Sequence, residues 1–190
     1  MKGRWNYRWV LLGVIVAVGF VFVGLDRGMN RIGDANMTTL DVTSNSFSDG
    51  QRLPVDYTCE GRNISPHLAW GNVPTGTVTF SIICDDPDAP HKPSWVHWVI
   101  FNIPASIREL VEGNGTQGDG TMQGSNSWGK MGFGGACPPQ GDAPHRYIFK
   151  VYALDGKLNL APGASKIEVE AAMKGHILAT GQIMGTYSRG

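Results

Sequence analysis

Two hydrophobic patterns divide the chain. Residues 9–25 read WVLLGVIVAVGFVFVGL, a run of 17 residues without a charge, whereas from residue 39 onward short apolar segments alternate with turn residues. A helix rises 1.5 Å per residue, so this run spans about 25 Å, close to the hydrocarbon core of a bilayer. The pattern predicts one N-terminal transmembrane or signal helix followed by a β-rich body.

The N-terminal segment, residues 1–25, carries its charges on one side. Lys2, Arg4 and Arg8 precede the apolar run, and the first acidic residue is Asp26. Basic residues remain on the cytoplasmic side of a membrane helix. We therefore expect the body outside the cytoplasm and attached to the membrane through residues 9–25.

Two fates of this segment remain open, an uncleaved membrane anchor and a cleaved signal peptide. Ala17 and Gly19 fit a cleavage site, but cleavage there would leave Phe20-Val-Phe-Val exposed at the new N-terminus. We favour the anchor; the alternative is a secreted or periplasmic body. Residues 26–38 are polar and are interpreted as a linker, and residues 39–190 as one domain.

The body carries several strand patterns and one helix pattern. Segments 77–84, 96–101 and 146–153 are rich in β-branched and aromatic residues and predict central strands, with flanking strands at 40–42 and 182–187.

The helix is predicted from its end signals. Ser165 followed by Glu168 is a capping box, and Gly175 is a stop signal. The Gly- and Pro-rich stretch 113–144 is interpreted as a long functional loop. The sum is a β-dominated sandwich with a C-terminal helix.

Composition narrows the classes of function. The 42% hydrophobic and 17% charged residues exclude a disordered polyampholyte, and 26 Gly with 11 Pro favour short strands and turns. Lys+Arg and Asp+Glu are both 16, and this balance argues against a nucleic-acid-binding protein.

An acidic run follows the first central strand. Asp85, Asp86 and Asp88 lie within four residues, and Pro87 and Pro90 stiffen the chain there. The carboxylates repel one another unless a cation, a histidine or hydrogen bonds relieve them. The run is either an acidic surface turn or part of a binding site.

Two histidines give this run candidate partners. His97 lies in an otherwise apolar strand, eleven residues after Asp86, so a hairpin would pair the two side chains; the alternative is a core histidine. A Pro-rich loop leads to His145 and Tyr147, which share a face of the next strand and are natural donors to phosphate or carboxylate oxygens. Trp95 is expected mainly to pack, like Trp128, although both could flank a cavity mouth.

The combined motifs resemble the phosphatidylethanolamine-binding protein family. They are DPDAP at 86–90, HW at 97–98 and PPQGDAPHRY at 138–147. The words YTCEG, NISP, FNIP, GGACPP and YIFKVYALD resemble its bacterial and archaeal Raf-kinase-inhibitor-like branch. The resemblance covers about residues 39–190.

The resemblance implies two antiparallel sheets with a small pocket for phosphate-type anions at one end. The family's ligand-binding residues carry over onto Asp86, Pro87, Asp88, His97, Pro139, His145 and Tyr147. Ala136 and Cys137 occupy positions near this set that vary between branches, His67 stands where this branch often has Pro, and His91 begins the loop after DPDAP. None of these departures disrupts the pocket set, but they could alter its rim and so its ligand.

The chemistry of such a pocket predicts a zwitterionic ligand. Asp86 would orient a histidine and raise its pKa, and the protonated imidazole would admit an anion. Asp88 would then accept a hydrogen bond from an ammonium group, which suits a phospholipid head group.

We expect a binding module rather than an enzyme. The sequence has no G-x-S-x-G elbow, no glycine-rich phosphate loop and no metal-ligand spacing among its five His and three Cys, so no cofactor or metal is expected. The alternatives are a protein-interaction module that inhibits a protease or kinase and a phosphoester-acting enzyme.

The three cysteines predict one disulfide in an oxidising compartment. Cys84 belongs to an apolar strand, whereas Cys59 and Cys137 occupy loop-like contexts. We therefore expect a Cys59–Cys137 disulfide and a buried Cys84 thiol.

Overall fold

The computed structural model describes residues 38–115 and 120–190. The predicted membrane or signal segment, 1–25, and nearly all of the predicted linker lie outside the described residues. Within the described residues, no helix has the length and apolar character needed to cross a membrane.

The described residues form nine strands in two sheets. The larger sheet has the strand order β1-β9-β8-β4-β5-β7, and the smaller sheet has the order β2-β3-β6. The strands are β1 (Thr38–Thr39), β2 (Asp41–Thr43), β3 (Leu68–Gly71), β4 (Thr79–Asp86), β5 (Trp95–Pro104), β6 (Glu109–Leu110), β7 (Met122–Gln123), β8 (His145–Leu154) and β9 (Ile177–Tyr187). This arrangement confirms the β-dominated, two-sheet fold.

The pairing departs from an all-antiparallel sandwich at one edge. Thr38 and Thr39 of β1 pair in parallel with Ala179 and Thr180 of β9, while the other strand pairs within the two sheets are antiparallel. The chain enters the large sheet through β1 and passes to the small sheet in β2.

The central strands bury both of their faces. Successive strand residues point to opposite sides, so Ile82 packs in the core between the sheets and Ile83 packs in the core beneath the helix. Both side chains are fully buried. This explains why β4 reads as a continuous apolar run rather than as an alternating pattern.

A helix α1 (Lys166–Met173) covers the outer face of the large sheet. The predicted capping box is present, since Ser165 Oγ accepts a hydrogen bond from the Glu168 amide and the Glu168 carboxylate accepts one from the Ser165 amide. Val169 and Met173, one turn apart, are buried against the sheet.

Strand β4 extends further than predicted, and this changes the context of the acidic run. Asp85 pairs with Val96 and Ile148, and Asp86 pairs with Trp95. These two aspartates are therefore the last two residues of β4 rather than part of the loop after it. Their side chains are buried on opposite faces of the sheet.

Candidate functional site

A cavity of about 230 Å³ lies at one end of the interior strands of the large sheet, where β4 ends and β5 and β8 begin. Antiparallel pairing brings these three strand ends together. The lining residues come from the β4–β5 connection, the two strand starts, and the loop before β8: Asp86, Ala89, Pro90, His91, Trp95, His97, Trp128, Cys137, Pro138, Pro139 and His145. The structure thus brings together all three motif regions.

Asp86 organises the wall of this cavity. Its Oδ1 accepts hydrogen bonds from the backbone amides of Asp88 at 2.8 Å and Ala89 at 3.0 Å. Its Oδ2 lies 2.7 Å from Nδ1 of His145. One buried carboxylate therefore turns the chain after β4 and also orients an imidazole of β8.

The expected pairing of Asp86 with His97 is wrong, because a β-bulge separates them. Cys84 pairs with Trp98 but Asp85 pairs with Val96, so His97 is the extra residue on β5. Nδ1 of His97 lies 2.7 Å from the carbonyl oxygen of Gly134 instead. The partner of Asp86 is His145.

The electrostatics of His97 also differ from the expectation. Burial lowers the pKa of His97, and the backbone carbonyls of Gly134 and Gly135 and the charge of Asp86 only partly oppose this effect. A histidine in this environment favours the neutral ring. His97 is therefore not the protonated imidazole that the sequence interpretation required.

Each carboxylate of the acidic run has its own partner. Asp85 lies on the helix side with Lys166, Lys150 and Ser94. Burial alone would raise the pKa of Asp85, but the two ammonium groups and the hydroxyl lower it. The repulsion anticipated within the run is thus relieved by cations and hydrogen bonds on separate faces.

Asp88 is engaged by Arg146 and does not line the cavity. Its two oxygens accept hydrogen bonds from Nε at 2.9 Å and Nη2 at 2.7 Å of that guanidinium, and from the Arg146 backbone amide. The hydrogen bonds from Arg146 lower the pKa of Asp88 to about 2. Arg146 thus takes three of the roughly four acceptor positions of this carboxylate, and the role of Asp88 as acceptor for a ligand ammonium stays a prediction.

Two further predicted residues, Tyr147 and Pro87, are not among the residues that line the cavity. The ring of Tyr147 packs edge-on against His97, with centroids 5.0 Å apart, and its buried hydroxyl has no hydrogen-bond partner of normal geometry among the described residues. Burial, with the charge of Asp86 adding to it, raises the pKa of Tyr147. The carbonyl of Pro87 accepts a hydrogen bond from Lys92. Asp86, His97, Pro139 and His145 are the predicted residues that line the cavity.

Two tryptophans form the apolar side of the cavity. Trp128 packs edge-on against Trp95 at 5.3 Å and against His97 at 5.0 Å between ring centroids. Asn126 accepts hydrogen bonds from the amides of Trp128 and Lys130 and so fixes the turn that carries this ring. The sequence predicted mainly a packing role for these tryptophans, with a position at a cavity mouth as the alternative.

Gly134 makes room for Trp128. A Cβ at this position would lie 2.5 Å from the Trp128 ring, which is closer than side chains pack. The GGACPP word contains this glycine, but no spacing in the sequence pointed to its contact with a residue six positions earlier. The glycine could therefore be noticed in the sequence, but its contact with Trp128 could not be predicted.

An inter-loop disulfide joins Cys59 to Cys137, the pair expected from the sequence. Their Cα atoms are 5.4 Å apart, and the bond ties the segment after a 3₁₀ turn, Val55–Tyr57, to the Pro-rich cavity wall. Cys84 is a buried free thiol, and burial raises its pKa well above the ordinary value.

Metal-ligating clusters of three or more His, Cys, Asp or Glu side chains do not occur in residues 38–115 and 120–190.

Comparisons with known proteins all match the part of the chain that forms the two-sheet domain. A family model described as phosphatidylethanolamine-binding protein matches residues 43–188. The UPF0098 protein of Methanothermobacter thermautotrophicus is 48% identical over 154 residues, which cover 80% of this chain and all of the relative (100%). YbhB of Escherichia coli is 42% identical over 159 residues, with 78% of this chain and 100% of YbhB covered.

A solved structure shares the fold. The crystal structure of Escherichia coli YbcL, described as a new member of the mammalian PEBP family, aligns with a TM-score of 0.76 at 38% identity. The alignment covers 80% of this chain and 100% of YbcL.

Proposed function

The chain belongs to the phosphatidylethanolamine-binding protein family, and from this premise we propose that its cavity binds phosphate-type anions, including those of phospholipid head groups. The observation that carries the proposal is the position of His145. Its Nδ1 is held by Asp86 at 2.7 Å, while its Nε2 lies 3.4 Å from the exposed carboxylate of Asp142 at the rim. A protonated His145 therefore has one N–H fixed in the wall and a second N–H available to an anion that displaces Asp142.

The surroundings favour a small, partly apolar ligand. Trp95, Trp128 and three prolines (Pro90, Pro138 and Pro139) form much of the lining, so water is reduced around the imidazoles and a charge-assisted hydrogen bond there is stronger than in solvent. Because Asp86 already accepts three hydrogen bonds, it turns few unpaired lone pairs toward an incoming anion.

Binding is favoured over catalysis by the chemistry of the lining. No serine or threonine lines the cavity within the described residues, and its cysteine is oxidised. A hydrolase would require an activated nucleophile or a metal-bound water. Turnover of phosphoesters that is lost in His145→Ala would contradict a purely binding role.

Export of the domain is part of the proposal. Its supports are the basic residues that precede the apolar run 9–25 and the inter-loop disulfide, a bond typical of oxidising compartments. Protease treatment of cells stripped of any outer membrane and wall tests this, since an exported, membrane-attached domain is then digested from outside. Retention of the full domain in the treated cells would reject it.

Titration calorimetry of the purified full-length chain tests the ligand. Inorganic phosphate, phosphocholine and phosphoethanolamine are compared at constant pH, which separates free phosphate from head-group chemistry. His145→Gln should lose binding, whereas His176→Gln should retain it because His176 pairs with Asp155 in an exposed histidine–carboxylate pair outside the cavity. Equal binding by both variants would exclude the cavity as the site.

A protein-interaction role is the second candidate, and two exposed apolar side chains favour it. Trp128 and Met131 are 43% and 63% exposed on the loop beside the cavity. Such side chains are suitable for contact with a partner segment, including one of a protease or kinase. A partner captured by the wild type and equally by Trp128→Ala and His145→Gln would bind elsewhere on the domain.

A further inference from the structure

The hydrogen bonds of His97 determine which of its ring nitrogens carries the proton. Its Nδ1 lies 2.7 Å from the carbonyl oxygen of Gly134, and a carbonyl oxygen only accepts, so this Nδ1 is the donor. Burial lowers the pKa of His97 and favours the neutral ring. The polar atom that His97 leaves for a ligand is therefore Nε2 with its lone pair, which is an acceptor.

His145 offers the opposite hydrogen-bonding character. Both oxygens of Asp86 act as acceptors, since Oδ1 receives two backbone amides and Oδ2 receives Nδ1–H of His145. Nε2 of His145 lies 3.4 Å from a carboxylate oxygen of Asp142, a contact that a protonated nitrogen makes favourably. The hydrogen bonds made within the protein thus leave two ring nitrogens for a ligand at the same cavity. Nε2 of His97 is an acceptor, and Nε2 of a protonated His145 is a donor.

We infer that, among phosphate-type anions, the cavity prefers those that carry a proton of their own, namely hydrogen phosphate and singly protonated phosphomonoesters, so that sulfate and phosphodiesters, including the diester of an intact phospholipid head group, bind more weakly. One ligand oxygen accepts from Nε2–H of His145, and the ligand P–OH donates to Nε2 of His97. A phosphodiester or sulfate has no O–H near neutral pH, so an oxygen lone pair would face the lone pair of His97. This inference rests on the proposed function of the cavity and specifies its ligand class.

The neighbouring titratable groups do not supply a substitute donor to His97. The hydroxyl of Tyr147 makes no hydrogen bond to it, and the ring of His91 lies at the rim beside Trp95. The remaining charged or titratable groups around the two imidazoles already have partners or lie outside the lining: Asp85, Asp86, Asp142 and Arg189.

Calorimetric titration of the full-length chain at about pH 6 with two matched ligand pairs tests the inference. Inorganic phosphate should bind about tenfold or more tightly than sulfate, and methyl phosphate more tightly than dimethyl phosphate, because an unpaired buried acceptor weakens binding by that order. The first pair concerns the free anion and the second concerns an esterified one. Equal affinities within each pair would overturn the inference while leaving the proposed function intact; no binding of any phosphate would overturn the proposed function.

A change of pH separates the ligand's proton from those of the protein. Phosphomonoesters lose their last proton near pH 6, whereas inorganic phosphate keeps an O–H up to pH 8. Methyl phosphate should therefore lose its advantage over dimethyl phosphate between pH 6 and 8, and inorganic phosphate should keep its advantage over sulfate. Constant ratios for both pairs would contradict a role for the ligand's O–H.

Substitution of His97 provides an independent test. In His97→Gln the side-chain amide can turn an N–H toward the ligand, so the preference for phosphate over sulfate should fall several-fold, while His176→Gln leaves it unchanged. If His97→Gln does not fold, the wild-type ring is examined by nitrogen-15 NMR. A proton on Nε2 rather than Nδ1 of His97 would overturn the inference.

Discussion

Replacing Asp86 by Asn changes the position of a proton in the cavity without removing the turn that follows β4. An amide oxygen can keep both backbone hydrogen bonds to Oδ1, from Asp88 at 2.8 Å and Ala89 at 3.0 Å. The new NH₂ group replaces Oδ2, 2.7 Å from His145 Nδ1, and donates where the carboxylate accepted. Neutral His145 must then carry its proton on Nε2.

The cost of this substitution is modest. A hydrogen bond to a charged group is replaced by a neutral one, so the free energy of unfolding should fall by about 1–2 kcal/mol. Asp86→Ala should cost more, about 3 kcal/mol or above, because it leaves two backbone amides without their acceptor. Urea unfolding at pH 7 compares the two variants and establishes that Asp86→Asn is folded.

The readout is the pH dependence of sulfate affinity, because sulfate does not titrate between pH 6 and 8. In the wild type, Asp86 keeps one proton on Nδ1 of His145, so a donor at Nε2 requires a second proton on the ring and sulfate affinity should fall with rising pH. In Asp86→Asn the Nε2–H exists in the neutral ring, and the affinity should change less than about threefold over the same interval. Equal pH slopes for the two proteins would refute the assigned proton positions.

Other predictions concern stability and the cavity wall. The hydrogen bonds from Arg146 lower the pKa of Asp88 from its ordinary 3.8 to about 2, so this pair stabilises the fold above about pH 4 and the stabilisation is lost as the pH falls toward 2. In denaturant titrations, Asp88→Asn should therefore lower the free energy of unfolding by about 1 kcal/mol at pH 7, a value reduced by solvent exposure, and by almost nothing at pH 2. Gly134→Ala should displace Trp128, change tryptophan fluorescence and weaken phosphate binding about tenfold, whereas Gly156→Ala, with open space around it, should do neither. Reduction of the inter-loop disulfide should lower the free energy of unfolding by about 2–4 kcal/mol, and an unchanged denaturation midpoint would contradict its structural role.

The fold was predictable where local signals and burial agree. The apolar runs of β4, β5 and β8 and the capping box before α1 each specify their element from neighbouring residues. The short strands β6 and β7 have only two residues each, and their pairing depends on partners distant in sequence. No periodicity exists in two residues, so these strands could not be predicted.

The sequence was sufficient to predict which residues come together at the site, but not which of them form hydrogen bonds with one another. The motifs pointed to Asp86, His97 and His145, but the partner of Asp86 depends on the bulge that makes His97 an extra residue in β5. A bulge results from the fit of two strands and is not visible in one of them. Arg146 precedes Tyr147 on the opposite face of β8, and its contact with Asp88 joins the β4–β5 connection to the start of β8, which no local pattern indicates.

Histidine resonances measured during a phosphate titration test the central claim most directly. The chain has five histidines, and His97 and His145 line the cavity walls while His67 and His176 pair with Glu109 and Asp155 elsewhere. The account predicts saturable shifts of the imidazole nitrogens of His145 and His97, with His67 and His176 unchanged. Saturable shifts confined to His67 or His176, or no shifts at any histidine, would contradict anion binding at this cavity.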